Sequence, residues 1–216
     1  MYTIKATYTG LVPMMMDRYY ELTKGEKPGR KISQKGKDAE VHLKLHCDDK
    51  GVFVPADNIR MMLIGNQMRP GAAKILGSYV EKGKGTEYVQ MCESSIWVIG
   101  PMNPLKCYVQ PGRITYDDID ERSFPTMKGK GVSRKIARRP LINLPWSVSF
   151  IVQVTDDQIH ESKIRELFDL AGLRCGICAY GPTFGRCVVT QWEVEPKPTG
   201  SERNRTDAKG AEQNPK

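Results

Sequence analysis

The sequence predicts an α+β fold in which helices lie on one face of an antiparallel sheet. Three observations predict it. The stretches YTIKATYTG and WSVSFIVQV alternate apolar and polar residues, as half-buried strands do. TDDQIHESKIRELFDLAG instead spaces Ile164, Leu167, Phe168 and Ala171 at i, i+3, i+4 and i+7, as an amphipathic helix does. The C-terminal half runs strand, helix, glycine loop, strand, and an earlier strand and helix supply a matching first half.

Taken in order, Tyr2, Ile4, Ala6 and Tyr8 share one face of the first strand. LVPMMMDRYYEL suggests a short helix after Pro13. VHLKLHC, DDKG and VFVP read as strand, turn and strand, with Gly51 at the turn. PADNIRMMLIGNQM reads as a helix opened by Pro55, its stripe of Ile59, Met62 and Leu63 facing the core. RPGAAKILGSYV reads as a second short helix broken by Gly71 and Gly77, and EYVQMCESSIWVIG and LKCYVQPGRITY as strands. In WSVSFIVQV, Trp146, Val148, Phe150, Val152 and Val154 line one face. Gly172 is placed to stop the helix that follows, and RCVVTQWEV closes the sheet as a partner of strand 146–154. This is the ferredoxin-like arrangement, with residues 80–145 as a large insertion. The polar, proline-bearing residues 196–216 read as a disordered tail.

At 216 residues, 39% hydrophobic and 27% charged, the chain suits one soluble domain over residues 1–195. No apolar run approaches the roughly 18 residues that cross a bilayer. No basic segment followed by an apolar one opens the chain, so a cytoplasmic protein is expected. The six cysteines are then expected as free thiols or metal ligands rather than disulfides.

Charge indicates the partner. The formal net charge is +8, and its distribution is uneven. Residues 122–139 carry seven basic side chains and no acidic one; residues 24–37 carry six against Glu26 alone. Both stretches hold glycines and few large apolar residues, so they read as mobile loops lining a groove for phosphates. The candidates are Lys24, Arg30, Lys31 and Lys35 in the first, and Lys128, Lys130, Arg134, Lys135, Arg138 and Arg139 in the second.

GLRCGICAYGPTFGRCVV, residues 172–189, allows three readings. Zinc requires four ligands, and Cys175 and Cys178 supply one pair, with Cys187, Cys47, His42 and His46 as the remaining donors. A redox dithiol ordinarily opens a helix, whereas this CxxC follows one. The third reading is an anion-binding loop. Gly176 and Gly181 would let backbone N–H groups approach phosphate, Arg174 and Arg186 would add charge, and Tyr180 and Phe184 would stack on bases.

IKATYTGLVPMMMDRY, VFVPADNIRMMLIG and AGLRCGICAYGPTFGRCVV occur in an order that resembles the RAMP superfamily, which includes the RNA-binding backbone subunits of CRISPR effector complexes. The terminal run also resembles that of small phage and archaeal RAMP-like proteins, with Cys178 in place of a glycine and Gly181 in place of an arginine. Ala56 likewise stands where a glycine is usual. The resemblance implies a modified RNA-recognition-motif fold and a protein that coats a guide RNA, with complementary DNA or RNA as target and several copies along the strand. It makes 122–139 a candidate thumb and 24–37 a candidate finger, with Arg18 and Arg60 on phosphates. No cofactor and no catalytic residue is expected. The alternatives are a metal-independent endoribonuclease using His42, His46 or Asp17, the two histidines sharing a strand face, and a RAMP mimic that inhibits CRISPR effectors.

Overall fold

The computed structural model describes residues 1–19, 40–128 and 131–195; the side chains of 124–135 also lie outside the description. The chain is a mixed α+β protein with two antiparallel sheets. Its elements are β1 (Tyr2–Gly10), β2 (Met14–Met15), β3 (Cys47–Asp48), β4 (Gly51–Pro55), α1 (Ala56–Ile64), α2 (Ala72–Ile75), a π-helical turn (Leu76–Val80), α3 (Gly85–Ser95), β5 (Ile96–Ile99), β6 (Lys106–Gln110), β7 (Asp118–Lys128), β8 (Gly131–Ile142), β9 (Ser147–Val154), α4 (Glu161–Arg174) and β10 (Cys187–Glu195).

The main sheet has the order β10-β1-β9-β6-β4-β3, with β5 pairing β9 beyond β6. The register sets Ile4, Ala6 and Tyr8 opposite Val152, Phe150 and Val148, so the apolar faces of β1 and β9 coincide. All six are buried, together with Ile164, Leu167, Phe168 and Ala171 of α4. Tyr8, Phe150 and Phe168 form an aromatic cluster, with ring centroids 5.0 Å apart for Tyr8–Phe150 and 5.5 Å for Phe150–Phe168. The Tyr8 hydroxyl donates to the Phe168 carbonyl at 2.8 Å, which satisfies the one polar atom of that cluster. The opposite face is polar. There Thr7 donates to Gln191 at 2.8 Å and shares a hydrogen bond with Ser149 at 2.9 Å.

The structure corrects several expectations. β9 and β10 are not neighbours, because β1 lies between them. Met14–Met15 is a strand pairing β8, not a helix. Residues 40–43 are helical, and only Cys47–Asp48 extends before the turn at Gly51. The stretch read as one strand from residue 87 is α3 followed by β5. Tyr88, Cys92 and Ser95 are its buried residues, at a spacing of four and three, so the helical period prevailed over the local β-propensity. RPGAAKILGSYV forms α2 and the π-helical turn, with Gly71 as the cap and Gly77 buried in the turn. Gly172 does not stop α4, which runs to Arg174. It is buried there because a Cβ would collide with the Cys187 carbonyl.

Residues 96–99 and 106–110 belong to the main sheet through β9, so the departure from it is shorter than residues 80–145. Residues 122–128 and 131–139 are strand, not loop: β7 and β8 pair continuously from Asp118↔Leu141 to Lys128↔Gly131. Among the described residues, no helix is long and apolar enough to cross a membrane. Residues 196–216, read as a tail, lie outside the described residues, as do Lys24, Arg30, Lys31, Lys35 and Lys130.

Candidate nucleic-acid interface

The loop after α4 docks on the segment between β1 and β2. Ala179 N–H donates to the Met15 carbonyl and Gly185 N–H to that of Pro13, both at 2.9 Å. Gly176 N–H donates to Ala171, and Ile177 N–H to Gly185. These amides are spent within the chain, so the phosphate nest expected around Gly176 is used instead to fold the loop. The glycines have steric reasons. Gly185 adopts φ +71°, and a Cβ there would collide with the Ile177 carbonyl; one at Gly181 would collide with that of Cys175.

The root of the β7–β8 hairpin rests on this loop through its aromatic side chains. The Arg122 guanidinium lies 4.9 Å from the Phe184 ring centre and 5.6 Å from that of Tyr180, and the Arg139 guanidinium lies 4.8 Å from Tyr180. Arg139 Nε donates to Asp17 at 2.6 Å, and Arg122 Nε to Asp120 at 2.8 Å. Lys44 Nζ donates to the Arg138 carbonyl at 2.9 Å. Asp17 and Lys44 lie on either side of residues 20–39, so both flanks of the first basic segment reach the root of the second.

The predicted phosphate contacts divide into two groups. Arg138 pairs with Glu121 at 2.6 Å and Arg139 with Asp17, and Arg60 donates to the carbonyls of Ile96 and Glu93 while covering Trp97. Tyr180 and Phe184 already carry arginines on their rings. Arg18, Arg174 and Arg186 are exposed and form no ion pair among the described residues. Lys128, Arg134 and Lys135 lie on the paired hairpin backbone, their side chains outside the description.

Beside the loop is a cleft of about 530 Å³, bounded by α1, residues 65–71 and residues 174–182. Arg69 Nη1 donates across it to the Gly181 carbonyl at 3.0 Å. Arg174 and Asp17 line it as well. Arg69 was missed in the sequence, since it is one arginine beside an ordinary turn, and Arg122 was counted in the second basic stretch without being named a contact. The partner of Arg69 is distant: Gly181 is 112 residues away.

The cleft is also lined by His46. The two histidines do not share a strand face: His42 is exposed on the helical turn, and His46 is half-buried with its ring 5.7 Å from Phe53. Burial, and then the nearby Arg18 charge, lower the His46 pKa from 6.5 to about 4. The unfolded chain therefore takes up a proton near pH 6.5 that the folded chain accepts only near pH 4. This contribution to stability is complete above pH 6.5 and is lost as pH falls towards 4. His46→Gln is expected to flatten the decline in melting temperature over that window; an unchanged slope would contradict the assignment.

Burial raises the Cys175 thiol to about 11 and the Cys178 thiol to about 12, the latter opposed by Asn58. Both are protonated near neutral pH, the form least suited to metal binding or nucleophilic attack. Among the described residues, no three His, Cys, Asp or Glu side chains gather where a metal ion is held.

No family model matches the sequence, and no curated protein matches it. Solved structures do match. One is a chain in "Cryo-EM structure of the Type III-B Cmr-beta bound to cognate target RNA", 10% identical, with a TM-score of 0.45. The match covers 89% of this chain and 60% of that one, so this chain spans less than two thirds of its length.

Proposed function

We propose that this chain is a non-catalytic RNA-binding protein that holds a single, guide-type RNA strand, which then pairs with complementary DNA or RNA. Several copies assemble along the strand. One observation carries the reading: the junction of Asp17, Arg139 and Tyr180 joins the flank of the first basic segment, the root of the basic hairpin and the glycine loop. Arg18, Arg174 and Arg186, which pair with no carboxylate among the described residues, flank that junction and the loop it rests on. A surface with cations left unmatched by carboxylates attracts phosphates, each contact releasing counterions. The strand order β10-β1-β9-β5/β6, with helices in both crossovers, supports a ferredoxin-like core. The RAMP-like motif order motivates the guide-RNA form of the reading.

Titrating labelled single-stranded RNA at several salt concentrations tests it. Affinity is expected to fall with salt, with a log–log slope of about −0.7 for each phosphate neutralised. No binding at low salt rejects the proposal. The same RNA is expected to stay intact, and specific cleavage that disappears in Asp17→Ala would favour the ribonuclease alternative.

A further inference from the structure

We propose that the cleft between α1 and the glycine loop receives one unstacked nucleobase of the bound strand, with the adjoining phosphate at Arg174. This inference rests on the RNA-binding reading and adds a site to it. The volume of about 530 Å³ falls within the range of small-ligand pockets, roughly 300–1,000 Å³. The walls are of two kinds. Met61, Met62 and Pro70 offer apolar surface, and Met62 is buried while Pro70 is exposed, so the apolar lining runs from floor to mouth. Asn58 and His46 are half-buried in the same cleft and add polar groups able to donate and accept.

Its charge is arranged differently. The two arginines that line it, Arg69 and Arg174, are exposed and belong to the rim, and neither pairs with a carboxylate among the described residues. Asp17 also lines the cleft, but its charge is met by Arg139 at 2.6 Å. His46 is neutral near pH 7, for the reasons given above. An inorganic anion would use the rim and waste the apolar walls. An apolar ligand would leave two arginines unanswered. A nucleotide fits both parts: a flat base with a neutral polar edge inside, and a phosphate outside. The Arg69–Gly181 hydrogen bond ties two walls of the cleft together.

The test uses the full chain and an RNA strand carrying 2-aminopurine, whose fluorescence rises when it leaves a base stack. Among the described residues, no Phe, Tyr or Trp lines the cleft to quench it. At saturating wild-type protein the fluorescence is expected to rise. Asn58→Met narrows the cleft and removes the amide that would meet the base edge, and RNA bound to it is expected to show a smaller rise. Arg174→Glu provides a second variant, checked like the first by circular dichroism, and is expected to reduce the rise at equal protein concentration. Equal rises in wild type and in folded Asn58→Met would overturn the inference while leaving RNA binding intact. A parallel arm offers 2-aminopurine riboside 5′-monophosphate alone. Binding of that nucleotide with no binding of RNA would overturn both the strand-borne base and the RNA-binding reading. Binding of neither would also overturn both.

Discussion

Replacing Arg18, Arg174 and Arg186 together by glutamate is expected to reduce the salt slope of RNA binding by about 2, at about 0.7 for each lost phosphate contact. These three are chosen because they pair with no carboxylate among the described residues. The hairpin arginines make a poorer test. Arg139 has only 11% of its side chain exposed, bonds Asp17 and lies on Tyr180, so its replacement unseats the hairpin as well as removing a charge. Breaking that charge-assisted bond costs about 1.5–3 kcal/mol, and any loss of RNA affinity would then combine two causes. The triple variant touches no ion pair among the described residues and is expected to melt close to wild type. Binding isotherms at four or more salt concentrations read the slope directly. A slope equal to that of wild type would remove these arginines from the interface.

Phe168→Ala is expected to be the most damaging single truncation in the core, at about 3–5 kcal/mol. The ring is fully buried, 5.5 Å from Phe150 and 5.7 Å from Trp192. It joins α4 to both β9 and β10, so the cavity would open where three elements meet. For a chain of this size the loss corresponds to a fall in melting temperature of about 6–20 °C. Phe184→Ala offers a contrast. That half-buried ring supports Arg122, and an exposed cation–π contact is worth about 0.5–1 kcal/mol. Thermal denaturation followed by circular dichroism compares the two. Similar losses would mean that the aromatic core is less central than its packing implies.

Much of the sheet was legible because burial writes itself into a strand at every second residue. β1 and β9 face the core with the residues that alternation selected, and α4 does so with Ile164, Leu167, Phe168 and Ala171. Short or mixed segments were not legible in this way. The residues of α3 include Tyr88, Val89 and Cys92, which favour a strand locally, and only their packing against the neighbouring helices selects the helical period. The hairpin was read as a loop because its charges hid its extended pattern. Charge reports solvent exposure, while pairing is decided by the backbone.

The interface divides along the same line. The sequence by itself determined an α+β chain with two cationic stretches, a glycine-rich connection before the last strand, and an excess of positive charge needing an anionic partner. Composition and periodicity are local properties and survive without a fold. Only the tertiary structure decided which arginines keep their charge unanswered, since that depends on whether a carboxylate or a carbonyl from a distant segment comes within hydrogen-bond reach. It likewise turned the Gly176 amide to loop packing, where it donates to Ala171. It also formed the cleft between α1 and residues 174–182, whose walls lie more than a hundred positions apart in the chain and meet only because the core between them is closed.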